Sequence, residues 1–275
     1  MLRDTVPSMS CSRVHPLPVA AIAFLLFLPA FCFAQTNCEE GSSPLHADQK
    51  PRIAVDDVIR KFSANDTSNK EARTHYSYTE DVTVQTLDGK SVDGEYKTVT
   101  NVTMDANGKA VRADAVPPQN SLRRLSVTEE DLNDIRSRVP FMLTTAELPQ
   151  YKVTYAGTQH VDEIDAYVFD VSPLKLESNH RYFQGRLWVD DHDLQIVKAC
   201  GNTVPDTPDN QSPKFVTYRE QIDGRYWFPT YARADDVLHF SNTDVHLREI
   251  VKYTKYKPSG TNSSGPASAP TAQTK

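Results

Sequence analysis

Tyr76-Ser-Tyr-Thr-Glu-Asp-Val-Thr-Val-Gln85 alternates bulky and polar side chains. Tyr76, Tyr78, Val82 and Val84 fall on one face; Ser77, Thr79, Asp81, Thr83 and Gln85 fall on the other. That period of two belongs to a half-buried strand. Asp88-Gly89 follows, a dipeptide suited to the positive backbone angles of a hairpin turn. The next run places Tyr96, Thr98, Thr100, Val102 and Met104 on one face, and Asn107-Gly108 turns the chain into Ala110–Val116. Three consecutive antiparallel strands are expected, closed by Pro117-Pro118.

Upstream, Pro51 can open a helix in which Ala54, Val55, Val58, Ile59 and Phe62 share a face. Downstream, Ser126-Val-Thr128-Glu-Glu-Asp-Leu132 reads as a capped helix start, acidic in its first turn as the helix dipole favours. Leu132, Ile135 and Val139 give that middle helix a thin apolar stripe. Strands resume at Tyr151–Gly157, Asp165–Val171, Tyr182–Val189 and Leu194–Cys200. Lys214–Ile222 and Tyr226–Ala234 flank Asp223-Gly224; Val237–Phe240 and Val245–Tyr256 complete the set. The fold class is therefore mainly β, with about 10–11 antiparallel strands and two helices. Strand and helix do not alternate, which argues against a parallel α/β sheet.

The ends read differently. Arg3 and Arg13 precede the apolar run Val19–Phe33, and Cys32-Phe33-Ala34 sets small residues at the positions a signal peptidase requires. Residues 1–34 are expected to be a leader cleaved before Gln35, so the mature protein is exported. Residues 35–50 are polar and expected to be a flexible segment, 51–257 the folded domain, and 258–275 a disordered tail without a large apolar side chain. Removing Arg3, Arg13 and Asp4 from 30 basic and 36 acidic residues leaves 28 against 35, a net charge of −7. An acidic chain is not a general nucleic-acid binder. Cleavage leaves Cys38 and Cys200, either one disulfide in an oxidising compartment or two independent thiols.

Catalytic signatures are missing: there is no Gly-x-Ser-x-Gly elbow, no His-Glu-x-x-His and no Walker loop. Asp190-Asp191-His192-Asp193 is dense in oxygen ligands, but it lacks the glycine and distal glutamate of a calcium loop. Its plainer reading is a charged hairpin turn. His239 with Asp235, Asp236, Asp244 and His246 has irregular spacing, and a polar connection between strands explains it equally well. No metal, cofactor or catalytic residue is expected. Glu80 and Glu249 lie on otherwise apolar strand faces, where a carboxylate is costly unless paired or wet. Each is either a polar handle in a ligand cavity or the mark of a register bulge or a structural ion pair, with Arg186, Arg219 and Arg248 as candidate partners; a catalytic carboxylate pair is a poorer third reading, because no nucleophile or substrate-binding pattern accompanies it.

Tyr182-Phe-Gln-Gly-Arg-Leu-Trp-Val-Asp190 followed by Leu194-Gln-Ile-Val-Lys198 sends an aromatic-glycine-tryptophan strand through an acidic turn into a second strand. Together with the leader, the helix running into Ala72-Arg-Thr-His-Tyr-Ser-Tyr78, and Tyr218-Arg-Glu-Gln-Ile-Asp-Gly-Arg-Tyr-Trp-Phe-Pro229, this order resembles the bacterial outer-membrane lipoprotein-sorting family, the LolA/LolB-like carriers. The resemblance spans residues 51–257. It implies an unclosed antiparallel β-barrel with the N-terminal and middle helices across its mouth, and a periplasmic carrier that shields acyl chains. On that footing the expected cavity residues are Tyr76, Tyr78, Glu80, Val82, Val84, Val102, Leu247 and Val251. The expected partners are a lipid or lipoprotein acyl chain and an envelope membrane protein, with the chain itself a monomer. Two other readings stand beside the carrier: an envelope scaffolding protein with the same fold and a filled core, and a metal-dependent hydrolase using an Asp/His cluster.

Overall fold

The computed structural model describes residues 36–177, 180–206, 211–240 and 243–259. The expected leader, residues 1–34, and the expected tail beyond Ser259 lie outside these residues. Ten antiparallel strands form one sheet: β1 (Tyr76–Asp88), β2 (Ser91–Met104), β3 (Ala110–Asn120), β4 (Tyr151–Val161), β5 (Ile164–Pro173), β6 (Tyr182–Asp190), β7 (Ile196–Val204), β8 (Phe215–Ile222), β9 (Tyr226–Phe240) and β10 (Thr243–Pro258). Their order is β3-β2-β1-β10-β9-β8-β7-β6-β5-β4, so the sheet is unclosed and β3 and β4 are its edges.

Two expectations about strands are corrected. Val237–Phe240 is not a separate strand, because Asp235 and Asp236 continue β9 in register with Arg248 and Leu247. Asp235 is tolerated mid-strand because it takes hydrogen bonds from Arg248 Nε at 2.8 Å and Thr36. Nor do Pro117 and Pro118 stop β3, which runs on to Asn120. An edge strand has one row of N–H groups facing away from the ladder, where proline does no harm.

Both α-helices lie on the same face of the sheet, called inner here. Helix α1 (Val55–Arg73) begins at Val55 rather than Pro51. Its Val58 and Phe62 are fully buried against Phe169, Leu187, Phe215 and Ala234. Helix α2 (Glu129–Arg138) starts on a capping box. Asp131 N–H donates to Thr128 Oγ1 at 3.2 Å, and Thr128 N–H donates back to Asp131 Oδ2 at 2.8 Å. Leu132, Ile135 and Val139, the predicted stripe, are buried on β1, β2, β9 and β10.

The opposite, outer face carries a third cluster, with Val168, Trp188, Val197 and Val216 at its centre. Residues 36–50, expected to lack structure, cover part of it. Gly41–His46 exchanges backbone hydrogen bonds with β4 at Thr158 and His160 and with Asp162 just beyond it. Cys38 and Cys200 are bridged, with Cα atoms 5.6 Å apart. The segment is polar because it spans the surface, yet Leu45 and Cys38 pack on the outer cluster beneath it.

Candidate functional site

The inner face under α2 gathers most of the predicted cavity residues. Val82 pairs with Val251 and Thr98, Val84 with Glu249, Tyr78 with Val102, and Thr86 with Leu247. Cross-strand registry thus sets Tyr78, Val82, Val84, Val102, Leu247 and Val251 into one cluster, closed from above by α2. Tyr76 is buried elsewhere, among Tyr226 and Phe228, with its hydroxyl on Asp223 at 2.7 Å. Burial and that hydrogen bond push the Tyr76 phenol up to about 12.

Helix α2 therefore lies directly on the expected cavity residues and fills the space above them. Val82 and Val102 are 0% exposed, and Val251 is 1% exposed. Open space remains around α2. One cleft, about 430 Å³, runs along α2 from Glu130 to Arg138 and is walled by Val84, Val127, Ile135, Leu238, Phe240 and Leu247. Its mouth is acidic, with Glu130, Asp131 and Asp134. A second, about 320 Å³, opens beyond the C-terminal end between Arg73, Tyr78, Met104, Arg112, Phe141 and Met142. Volumes of about 300–1,000 Å³ are usual for small-ligand pockets.

Glu80 and Glu249 are both in ion pairs, but not with the expected arginines. Glu80 meets Arg136 at 3.1 Å and Arg112 at 4.0 Å; Glu249 meets Arg138 at 2.5 Å. Arg186 instead pairs with Asp170 and Glu39, Arg219 with Asp66 at 2.6 Å, and Arg248 with Asp235. The partners on α2 were missed although a signal existed. Arg136 and Arg138 stand three or four residues from members of the Leu132–Ile135–Val139 stripe, so they reach the surface that the stripe buries. Likewise the face of α1 begun by Val58 and Phe62 continues to Asp66 and Asn69, both buried. Asp66 accepts from Leu143 N–H at 2.8 Å as well as from Arg219. Asn69 joins Gln195 and Trp227 N–H.

The two Asp/His sets are dispersed. Asp190 Oδ1 accepts from the N–H groups of His192 and Asp193 at 2.8 and 2.6 Å, which is turn chemistry. His239 pairs with Asp244 across β9 and β10, whereas His246 pairs with Asp235. Among the described residues no group of three or more His, Cys, Asp or Glu side chains is disposed to hold a metal.

No family model matches the chain, and no curated protein matches it in sequence. Solved structures do match. A DUF1329 family protein from Desulfovibrio piger is 14% identical, with 70% of this chain and 90% of that one aligned at a TM-score of 0.38. MucB is 12% identical over 74% and 94%, with a TM-score of 0.27. MucB in complex with MucA(peri) is 10% identical over 76% and 100%, with a TM-score of 0.22. Scores this low carry no inference about what the chain does.

Proposed function

We propose that this is an exported, periplasmic binding protein for an amphiphile, whose apolar portion lodges on the inner face beside α2. The observation that carries the reading is the 430 Å³ cleft, whose buried wall sets Val84, Ile135, Leu238 and Leu247 beside the Arg138–Glu249 pair and whose exposed side carries Glu130 and Asp131. A chain in it leaves water at a gain of about 0.8 kcal/mol per methylene. The cleft continues into the surface that α2 now covers. A ten-residue helix is too short to be stable in isolation. Its hold on the sheet is three apolar side chains, the ion pairs of Arg136 and Arg138 and a hydrogen bond from Thr217 Oγ1 to the Val139 carbonyl at 2.8 Å, and lifting it would lengthen the cleft over Val82 and Val251.

The scaffolding reading has its own observation: the face under α2 is already filled by Leu132, Ile135 and Val139. A titration separates the two. The mature protein is titrated with a fluorescent fatty-acid probe and, separately, purified from the periplasm for native mass spectrometry. The binding reading expects micromolar probe affinity, competition by natural lipids and a co-purified mass. Val127→Asp and Phe240→Ser, at half-buried wall positions, should weaken the probe without unfolding the protein. No binding of any amphiphile by the wild type would leave the scaffolding reading.

A further inference from the structure

The cleft beyond the C-terminal end of α2 holds a cation that has no carboxylate counter-ion among the described residues. Arg73, the last residue of α1, lines it. Its guanidinium lies over the rings of Tyr78 at 4.6 Å and Tyr253 at 5.2 Å, close to the Tyr256 phenol. Its Nε is buried and has no hydrogen-bond partner among the described residues. Burial pushes the Tyr256 phenol up to about 12 and lifts Tyr253 well above the usual range. Both are therefore neutral at physiological pH and supply ring faces and dipoles but no negative charge.

The nearby carboxylates are committed elsewhere. Glu147, on the same wall, holds Lys70 at 2.8 Å, and Glu80 holds Arg136 at 3.1 Å. Of the wall's cations Lys70 is matched by Glu147 and Arg112 lies 4.0 Å from Glu80, which leaves Arg73 without a carboxylate among the described residues. An unneutralised, partly desolvated charge is costly unless an anion joins it. The remaining wall is apolar, with Met104, Ala110, Pro140, Phe141 and Met142, and the space exceeds what a bare anion fills. The alternative role is structural: a cation at a helix C-terminus complements the dipole.

We propose that this cleft takes the anionic head of a single-chain amphiphile, a carboxylate or a phosphate monoester, on Arg73, with its first methylenes against Met104, Ala110 and Met142. The proposal rests on the amphiphile reading above and adds the head group. Arg112, at the cleft rim, screens the same charge.

The test compares cis-parinaric acid with its methyl ester on the mature, disulfide-bonded protein. Wild type should bind the acid at least about tenfold more tightly than the ester, as a charge-assisted contact implies. Arg73→Met should bring the acid down to the ester's affinity and leave the ester unchanged, and Arg73→Lys should keep part of the difference. Equal affinities in the wild type, or parallel loss of both probes in Arg73→Met, would overturn the head-group site. The acid-to-ester ratio is read on the wild type, so a poorly folded variant cannot obscure it. Dodecyl phosphate should displace the acid where inorganic phosphate at the same concentration does not; equal displacement would mean a bare-anion site and would also overturn the proposal. If neither acid nor ester binds, the amphiphile reading itself fails. If both bind equally, that reading stands and only the head-group site is lost.

Discussion

Trp188 is 0% exposed on the outer face, and its indole N–H donates to Gln159 Oε1 at 2.6 Å. Gln159 in turn donates to Glu39 and to the Ser43 carbonyl, which ties the indole to the segment that covers it. Trp188→Ala should therefore destabilise by about 3–5 kcal/mol in urea unfolding. Trp188→Phe keeps most of the packing but orphans the Gln159 oxygen, at about 1–3 kcal/mol. A loss below about 0.5 kcal/mol for the alanine variant would mean the ring is exposed. The sequence showed that a tryptophan sits in a strand; it could not show which face was covered, because the cover is the polar N-terminal segment. The His192 turn was legible in full, since Asp190 needs only its own next residues to form it. There the Asp193 hydrogen bond raises the His192 imidazole pKa above 6.5. A raised histidine contributes stability below its unfolded pKa, and loses it as pH rises through the folded value. NMR titration should find the His192 midpoint above 6.5, dropping in Asp193→Asn, and zinc or calcium calorimetry at this turn should show no one-to-one tight site. An unchanged midpoint in Asp193→Asn would remove the assigned cause.

Helix α2 was legible in outline because capping box and stripe are local signals, four and eight residues long in their reach. What it docks on was not, because Glu80 and Glu249 come from strands far away in the chain. Apolar burial contributes about 1.5–3 kcal/mol for each stripe residue. Arg138 and Glu249, 2% and 8% exposed, add a desolvated pair whose halves depend on one another. Arg138→Met should cost about 3–5 kcal/mol by leaving Glu249 buried and alone, while Arg138→Met with Glu249→Leu should recover most of it. Additive losses in that double-variant cycle would show that the two side chains do not interact. Thr128→Ala, which removes only the cap, should cost about 1 kcal/mol. Strand limits were the weaker part of the reading. Proline pairs and double aspartates mark breaks in a central strand, but β3 is an edge, and Asp235 finds its partners across the outer face.

The sheet's ten-strand order follows from hairpins between neighbours, apart from the pairing of β1 with β10 and the long return from β3 to β4 through α2. Hairpin turns are written in dipeptides, which is why the meander was legible; the β1–β10 closure is a long-range contact with no local mark. The two edges are managed differently. On β3, Pro117 and Pro118 remove two donors beside exposed Val111 and Val116. On β4, residues 41–46 occupy the edge themselves. That cover is held by contacts of unequal strength. Glu39 with Arg186 and Glu40 with Arg233 are partly exposed pairs, worth about 0–1 kcal/mol each. Lys198, 1% exposed, donates to the Glu40 carbonyl at 3.0 Å and to Ser42, and burial lowers its pKa. The Cys38–Cys200 bridge spans 162 residues. In the chain-entropy account, a loop of that length removes about 5 kcal/mol of unfolded-state freedom, and measured losses on removing such bridges are about 2–5 kcal/mol. It should thus outweigh the surface pairs together. Cys38→Ser/Cys200→Ser should lower the urea midpoint by an amount equivalent to about 2–5 kcal/mol, and the bared Trp188 should become accessible to iodide quenching. Glu39→Gln/Glu40→Gln, which leaves the bridge intact, should shift the midpoint by no more than about 1 kcal/mol. If the serine variant keeps its midpoint and its Trp188 stays protected, the backbone pairing to β4, the Lys198 and Gln159 hydrogen bonds and the surface pairs hold the cover, and the bridge contributes nothing to it.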